Sequence, residues 1–313
     1  MKPDVSVIVP IYNGDTDLPE LLDCLRSQTY PQERVEYCLV DNNSNDRTTA
    51  LLEAATQPGD ISLSPKSETQ IQSSYAARNT GIRAARGDLF AFTDADCRPQ
   101  PNWLSELIKP FDDEKIGIVA GEIQALPANS LLEQHAQKAQ TLSQKHTLNH
   151  SFCAYGQTAN LAIRREAFQQ VGLFRPYLTT GGDADMCWRI LRQTDWQLKF
   201  AQSAVVRHRH RATLGQLHSQ WRRYGESNRY LHQLHGVDLM PEMTGGDYAY
   251  RLGRWLLKEL PQTAIAAVLG RASIADVWET PIDLFNIRSR AMGQRTAELS
   301  EEARYIPSLV ASA

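Results

Sequence analysis

Between residues 5 and 96 the chain repeats one arrangement: a short apolar, β-branched run, a polar cluster, then a stretch of helical periodicity. Val5–Ile11 stops at Asn13-Gly14, Val35–Val40 runs into Asp41-Asn-Asn-Ser-Asn-Asp46, and Leu89–Thr93 runs into Asp94-Ala-Asp96. Runs of that length and composition predict buried strands. Leu18–Gln28, Arg47–Ala55 and Tyr75–Arg86 predict helices, the first with Leu18, Leu21, Leu22 and Leu25 on one face and Asp15 or Asp17 as its cap. A further short strand is expected at Ile61–Leu63. Such alternation predicts an α/β fold with a largely parallel sheet. In these sheets ligands sit beyond the carboxyl ends of the strands, and here those ends carry Pro10–Asn13, Asp41–Asn43 and Asp94–Asp96.

The rest of the chain is less regular. Strands are expected at Gly117–Ile123 and Thr158–Ile163, a long polar helix at Leu131–Asn149, and a helix from Ala184 to Gln193 opened by Gly181-Gly182-Asp183. Residues 207–235 hold six Arg and five of the eight His against one acid, Glu226. Beyond Gly245-Gly246 the pattern predicts two helices with a break near Pro281. A chain of 313 residues can bury a core without disulfides. Its five cysteines are scattered, with no C-x-x-C pair, which points to reduced thiols in a cytoplasmic setting. A net charge of −3 argues against a general nucleic-acid binder. No apolar run is long enough for a membrane span, and the N-terminal run has no signal-peptide pattern.

Four places carry chemistry. Two acids at the end of a buried strand, Asp94 and Asp96, need a counter-charge, either a divalent cation such as Mg²⁺ or Mn²⁺ or ordinary loop partners. Asp41, at the last position of its strand, can cap the following turn or hydrogen-bond a base or ribose, and Tyr12, on the turn after the first strand, can stack on a base. Asp183 opens a helix, where amides and the dipole favour the anion, so it is either a plain cap or a general base; Asp185 is the structural acid of the pair. His208 and His210 alternate along a strand and can face a metal or phosphates, or belong to a solvated basic face.

Taken in order, Val5-Ser-Val-Ile-Val-Pro-Ile-Tyr-Asn13, Val40-Asp-Asn-Asn-Ser44, Ala77-Arg-Asn-Thr-Gly81, Phe92-Thr-Asp-Ala-Asp-Cys97, Thr158-Ala-Asn-Leu-Ala-Ile-Arg-Arg-Glu-Ala-Phe168 and Gly182-Asp-Ala-Asp-Met-Cys-Trp-Arg189 resemble the family 2 glycosyltransferases with the GT-A fold. The resemblance covers roughly residues 5 to 225. It implies a Rossmann-like, mostly parallel sheet flanked by helices, with a catalytic domain over 1–225 and a C-terminal helical extension over 226–313. It implies Pro10, Tyr12, Asp41, Arg78 and Asp94 at the nucleotide, Asp94 and Asp96 as the metal-binding Asp-x-Asp with His208 near the metal, and Asp183 as catalytic base. Gly182 stands where the family motif has Glu. Gln220-Trp-Arg-Arg-Tyr224 is a weak match to the Q-x-x-R-W motif of processive synthases.

The activity so implied is inverting transfer of a sugar from a nucleotide-diphospho-sugar, by default a UDP-sugar. The acceptor is a hydroxyl on a glycan, a lipid-linked molecule or a small molecule, in polysaccharide or glycoconjugate synthesis. Mg²⁺ or Mn²⁺ is the expected cofactor. No nucleic-acid partner is expected. The expected location is cytoplasmic, with the helical patch around Trp255–Leu269 either packed on the catalytic domain or in peripheral contact with the inner face of the membrane. Two other readings stay open: an inactive nucleotide-binding module that docks a partner, and a nucleotidyltransferase, although Pro10-Ile-Tyr-Asn-Gly14 is not a Gly-rich phosphate loop.

Overall fold

The computed structural model describes residues 2–56 and 61–309. Eight strands form one sheet: β1 (Val5–Ile11), β2 (Val35–Asp41), β3 (Lys66–Ser67), β4 (Leu89–Thr93), β5 (Cys97–Pro99), β6 (Ile116–Ala125), β7 (Asn160–Arg164) and β8 (Gln197–His208), in the order β3-β2-β1-β4-β7-β6-β8-β5. The half built from the first ninety-odd residues is parallel: β1 pairs with β2 from Val5↔Val35 to Ile11↔Asp41 and with β4 from Val5↔Leu89 to Ile8↔Phe92. β7 runs antiparallel to β4 and β6, and β5 antiparallel to β8. The α/β class expected from the alternation is the one observed. β1, β2 and β4 are buried along almost their whole length because helices cover both faces, and the buried Glu36 of β2 is met by the Ser6 hydroxyl of β1.

Eight helices precede residue 200: α1 (Leu18–Arg26), α2 (Thr48–Ala55), α3 (Ser74–Ala84), α4 (Trp103–Ile108), α5 (Leu131–Lys138), α6 (Gln144–Leu148), α7 (Arg165–Val171) and α8 (Gly182–Gln193). The α1 face named from the sequence is buried, with Leu18, Leu21 and Leu25 fully enclosed beside Val7, Val9 and Leu39. Asp17 is its N-cap residue, yet its side chain makes no cap hydrogen bond there and instead accepts from Arg98.

Three sequence expectations are corrected. Leu131–Asn149 is not one helix: Gln140 takes a left-handed φ of 50°, and Ser143 caps a new helix through the Lys145 amide. Ile61–Leu63 makes one bridge, Tyr37↔Leu63, while the strand beside β2 lies at Lys66–Ser67. The C-terminal break is not at Pro281. After α9 (Leu214–His235) come α10 (Gly245–Arg254), a π-helical turn at Trp255–Glu259, α11 (Leu260–Val268), α12 (Ile274–Val277) and α13 (Glu279–Thr296). Gly270, at φ 69°, ends the α10–α11 run, and Pro281 fits the first turn of α13, where its missing N–H costs nothing.

The chain divides into two compact units: Met1–Gln124 with Leu142–Arg209 and Ser300–Ala313, and Ala125–Thr141 with His210–Leu299. The sequence places a boundary at residue 225; compactness places it at 209–210 and assigns α5 to the second unit. The last four residues of the expected extension lie outside the described residues. No helix among the described residues is long and apolar enough to cross a membrane.

The second unit has a small apolar core of Leu132, Leu217 and Ile282, joined by Leu131, Trp221 and Phe285. Much of its packing is backbone against backbone where α9 meets α13. A Cβ on Gly225 would lie 1.9 Å from the Arg290 carbonyl oxygen, and one on Gly293 would lie 1.9 Å from that of Arg222. Neither neighbour is a side chain that can swing away. Gly293→Ala is therefore expected to cost at least about 2 kcal/mol through forced separation of the helices. Gly253→Ala, on α10 with nothing within 4 Å, should instead stabilise by about 0.5–1 kcal/mol. Urea unfolding of the two variants checks the opposite signs.

Candidate active site

Of the residues named from the sequence for the nucleotide, metal and base, all but His210 fall within the first unit. The parallel pairing puts the ends of β1 and β2 side by side, with Ile11 opposite Asp41. The two following loops are tied together. The Asn13 amide donates to Ser44 Oγ at 2.9 Å, the Asn45 amide donates to Asn13 Oδ1 at 2.9 Å, and the Gly14 amide donates to Thr48 Oγ1 at 2.9 Å. Asn13 (φ 49°) and Asn43 (φ 61°) take the left-handed turns that asparagine tolerates.

This leaves the Tyr12 ring 54% exposed, available for stacking. Asp41 is buried and already in use: Oδ1 accepts the Ser44 amide at 3.0 Å and Oδ2 accepts Thr49 Oγ1 at 2.6 Å. Its cap role is therefore real. A ligand contact would use the remaining lone pairs. Pro10, half-buried, lies opposite Val40 on the same edge.

Arg78 and Asp94, named separately from the sequence, are partners. Arg78 lies on α3, is 3% exposed, and donates from Nη2 to Asp94 Oδ1 at 2.5 Å. Its guanidinium also covers the Tyr75 ring, 5.4 Å from the centroid. Burial works against its charge, but the carboxylates of Asp94 and Asp183 outweigh that and hold the Arg78 pKa above its usual value. Its Nε is buried with no hydrogen-bond partner among the described residues. A buried cationic donor left over in this way fits an incoming anion.

Asp183 lies on the first turn of α8. Thr158 holds it twice, through its amide to Oδ2 at 3.2 Å and its hydroxyl to Oδ1 at 3.0 Å. The helix start alone predicts a carboxyl held low. Burial reverses this and pushes the Asp183 pKa up, helped by the charge of Asp94 and opposed by Arg78 and Thr158. The shift suits a base, because it moves the carboxylate toward the pH at which it must take a proton. Asp185 is fully buried between two arginines, with Arg175 Nε and Arg189 Nε each at 3.0 Å. Arg189 goes on to the carbonyls of Val171 and Leu173.

Asp96 meets His208 because the short strand β5 pairs with the end of β8, with Cys97 opposite His208. His208 Nε2 lies 3.3 Å from Asp96 Oδ1. With Cys97 Sγ these atoms form a compact set of metal-ligand types, all within 4.8 Å of one another. The Asp96 carboxylate suits Mg²⁺ or Mn²⁺, and the His208 imidazole favours the less strictly oxygen-seeking Mn²⁺ of the two. Cys97 fits less well: burial, with Asp96 and Asp94 nearby, pushes its thiol well above the usual range. The donor set therefore fits through Asp96 and His208, while one Asp94 oxygen is taken by Arg78. His210 does not share this placement. β8 ends at His208, the alternation does not continue, and His210 belongs to the second unit.

Two residues were not singled out from the sequence. Thr158 opened a quoted motif without a role. Tyr75 was read only as the start of a helix. Its hydroxyl accepts the Gly182 amide at 2.9 Å, and its ring stacks on Phe174 at 5.6 Å. A Cβ on Gly182 would lie 2.7–2.8 Å from the Tyr75 ring carbons. The position that carries Glu in the family motif is thus filled by an aromatic ring from α3.

The family model for glycosyl transferase family 2 matches residues 6–172, more than half of the chain, and the chain belongs to that family. It is 32% identical over 209 residues to the glycosyltransferase AglE of Haloferax volcanii, covering 66% of this chain and 67% of AglE. It is 27% identical over 281 residues to the pre-mycofactocin glycosyltransferase of Mycobacterium tuberculosis, covering 86% of this chain but only 57% of that protein's length. Among solved structures it is similar to a mannosyltransferase from Pyrobaculum calidifontis in complex with GDP-Man and Mn²⁺. That match has a TM-score of 0.63 at 19% identity, over 95% of this chain and 88% of the other, and supports the GT-A fold.

The two acids of α8 should part in their behaviour. Asp185→Asn leaves two buried guanidinium groups short of charge and is expected to cost about 3–5 kcal/mol in urea unfolding. Gly182→Ala should cost about 1–3 kcal/mol. That penalty should shrink in a Tyr75→Leu background, and a double-mutant cycle measures the coupling.

Proposed function

We propose that this family 2 glycosyltransferase inverts the anomeric centre, uses a divalent metal, and moves a sugar from a nucleotide-diphospho-sugar to a hydroxyl acceptor. The catalytic domain is taken as residues 1–225, with 226–313 as a helical extension. The observation that carries the reading is Arg78, buried against Asp94 and electrostatically coupled to Asp183, so that the proposed nucleotide side and the proposed base share one guanidinium.

Tyr12 stacks on the base, with Pro10 and Asp41 along the same edge. Arg78 offers its unused Nε–H to the diphosphate. Asp96 and His208, with Asp94 beside them, would hold Mg²⁺ or Mn²⁺, which when bound supplies Lewis-acid charge for the departing diphosphate. Asp183 accepts the proton of the acceptor hydroxyl on one of its carboxylate oxygens. The freed oxygen attacks C1 from the face opposite the leaving group, and the configuration inverts without a covalent sugar intermediate. Thr158 fixes the carboxylate during that transfer. UDP is the default nucleotide of the donor, although the Pyrobaculum neighbour was solved with GDP-Man. The acceptor is a glycan, a lipid-linked molecule or a small molecule, in polysaccharide or glycoconjugate synthesis.

Thermal shifts with UDP and GDP, each with and without Mn²⁺, should show one nucleotide stabilising the full chain more with the metal present, and less in Asp96→Asn. Asp183→Asn should keep the nucleotide affinity and lose at least about 10²-fold in kcat. If that variant loses nucleotide binding instead, the carboxylate belongs to the donor site.

The pH dependence follows from the raised Asp183 pKa. Transfer needs the anion, so kcat/KM should fall as pH drops through a value above the ordinary aspartate pKa. Stability has the opposite dependence: the contribution of a raised acid is fully present below its unfolded pKa and is lost as pH rises through the folded one. A pH–rate profile beside pH-dependent unfolding checks both signs.

A further inference from the structure

In the second unit, the run from α10 through the π-helical turn and α11 to α12 carries apolar side chains into solvent. Leu257 is 82% exposed and Val268 89%, and Leu256, Ile265, Leu269 and Ile274 are exposed with them. Leu257, Ile265, Val268 and Leu269 recur at helical spacing. Scattered exposed apolar residues need no explanation, but this many within twenty residues marks an interaction surface.

The charge says what it meets. From Gly245 to Val277 the segment contains four bases, Arg251, Arg254, Lys258 and Arg271, against three acids, Asp247, Glu259 and Asp276. All three acids are already held: Asp247 in the Thr244 cap, Glu259 by Arg254 at 2.9 Å and the Thr280 hydroxyl at 2.6 Å, and Asp276 by Lys138 and the Ser273 hydroxyl, so the charge left facing solvent is basic. The segment is anchored by tryptophans: Trp255 Nε1 donates to the Val277 carbonyl at 2.9 Å, and its ring lies 5.9 Å from that of Trp278. Apolar residues, flanking bases and tryptophans on one short helical run are the composition of an element that lies in a bilayer interface. A second copy of the chain would bring like charges together, which disfavours self-association through this face.

We propose that the α10–α12 segment docks the protein onto an anionic lipid bilayer. Leu256, Leu257, Ile265, Val268 and Leu269 enter the boundary between headgroups and acyl chains, while Arg251, Lys258 and Arg271 meet headgroup phosphates. The contact is interfacial, consistent with the absence of a membrane-crossing helix among the described residues.

Flotation of the full chain tests this, with vesicles of phosphatidylcholine alone and with about 30% phosphatidylglycerol added. The chain should co-float with the anionic vesicles at low salt and fall away by about tenfold or more on neutral vesicles or in high salt. Leu257→Asp/Val268→Asp should abolish co-flotation. Lys258→Glu/Arg271→Glu should weaken it by about tenfold or more. All four side chains are exposed, so both double variants should keep the wild-type unfolding midpoint and nucleotide-dependent thermal shift, which reports on the transferase reading separately. Three results overturn the proposal: no co-flotation of the wild type at low salt, undiminished binding by the apolar double variant, or light scattering showing a dimer that this variant turns into a monomer.

Discussion

A guanidinium buried to 3% exposure cannot stand without negative charge around it, and the arrangement of the site follows from supplying that charge. Asp94 comes from the end of β4 and Asp183 from the first turn of α8, and both hold Arg78 in its charged form. The same closeness places the two carboxylates within each other's field, which together with burial raises Asp183. One cation thus draws together α3, the end of β4 and the first turn of α8, the three segments of the proposed site. Its Nε–H has no hydrogen-bond partner among the described residues.

The proposed base needs a rigid carrier, and the carrier is built from arginine as well. Asp185 is buried two residues beyond Asp183, clamped by Arg175 and Arg189. Arg189 in turn secures the carbonyls that follow α7. A buried network of this kind is expensive to break and contributes little when intact, so its value lies in fixing a position. Asp183 and Asp185 are the same residue type on the same helical turn. Their environments, one held by a threonine near a single guanidinium and the other enclosed by two, separate their roles.

Much of this was legible in the sequence. Period and composition locate β1, β2, β4 and the helices between them because both faces of a parallel sheet are buried, so the strands read as mainly apolar runs, interrupted only by single polar residues such as Ser6 and Glu36. The candidate site residues could be named because they stand at strand ends and a helix start, where the pattern changes from apolar to polar. What escaped depends on long-range pairing. Nothing local in Cys97-Arg-Pro99 announces a strand; it forms because β8 comes alongside, and that pairing brings His208 to Asp96. The break at Gln140 was hidden because glutamine is an ordinary helix former, and its left-handed φ is imposed by context. The pairing of Arg78 with Asp94, sixteen residues apart, follows from α3 packing on β1 and β2 while β4 pairs with β1, which no spacing rule contains.

The substitution at position 182 shows how tertiary structure can stand in for a motif. A glutamate there would need space that the Tyr75 ring occupies, with ring carbons 2.7–2.8 Å from any Cβ. Glycine removes the clash and lets the tyrosine hydroxyl reach the Gly182 amide, one of the donors a helix start leaves without an intrahelical partner. The first turn of α8 is then held at three points: Gly182 by Tyr75, Asp183 by Thr158, and Asp185 by two arginines. Precise placement of a base depends on such support more than on the identity of its neighbour in sequence. Tyr75 is also the ring beneath Arg78. The aromatic that stands against position 182 therefore touches both the cation proposed for the diphosphate and the helix that carries the proposed base, and it links these two parts of the proposed site through packing where the family motif has a carboxylate.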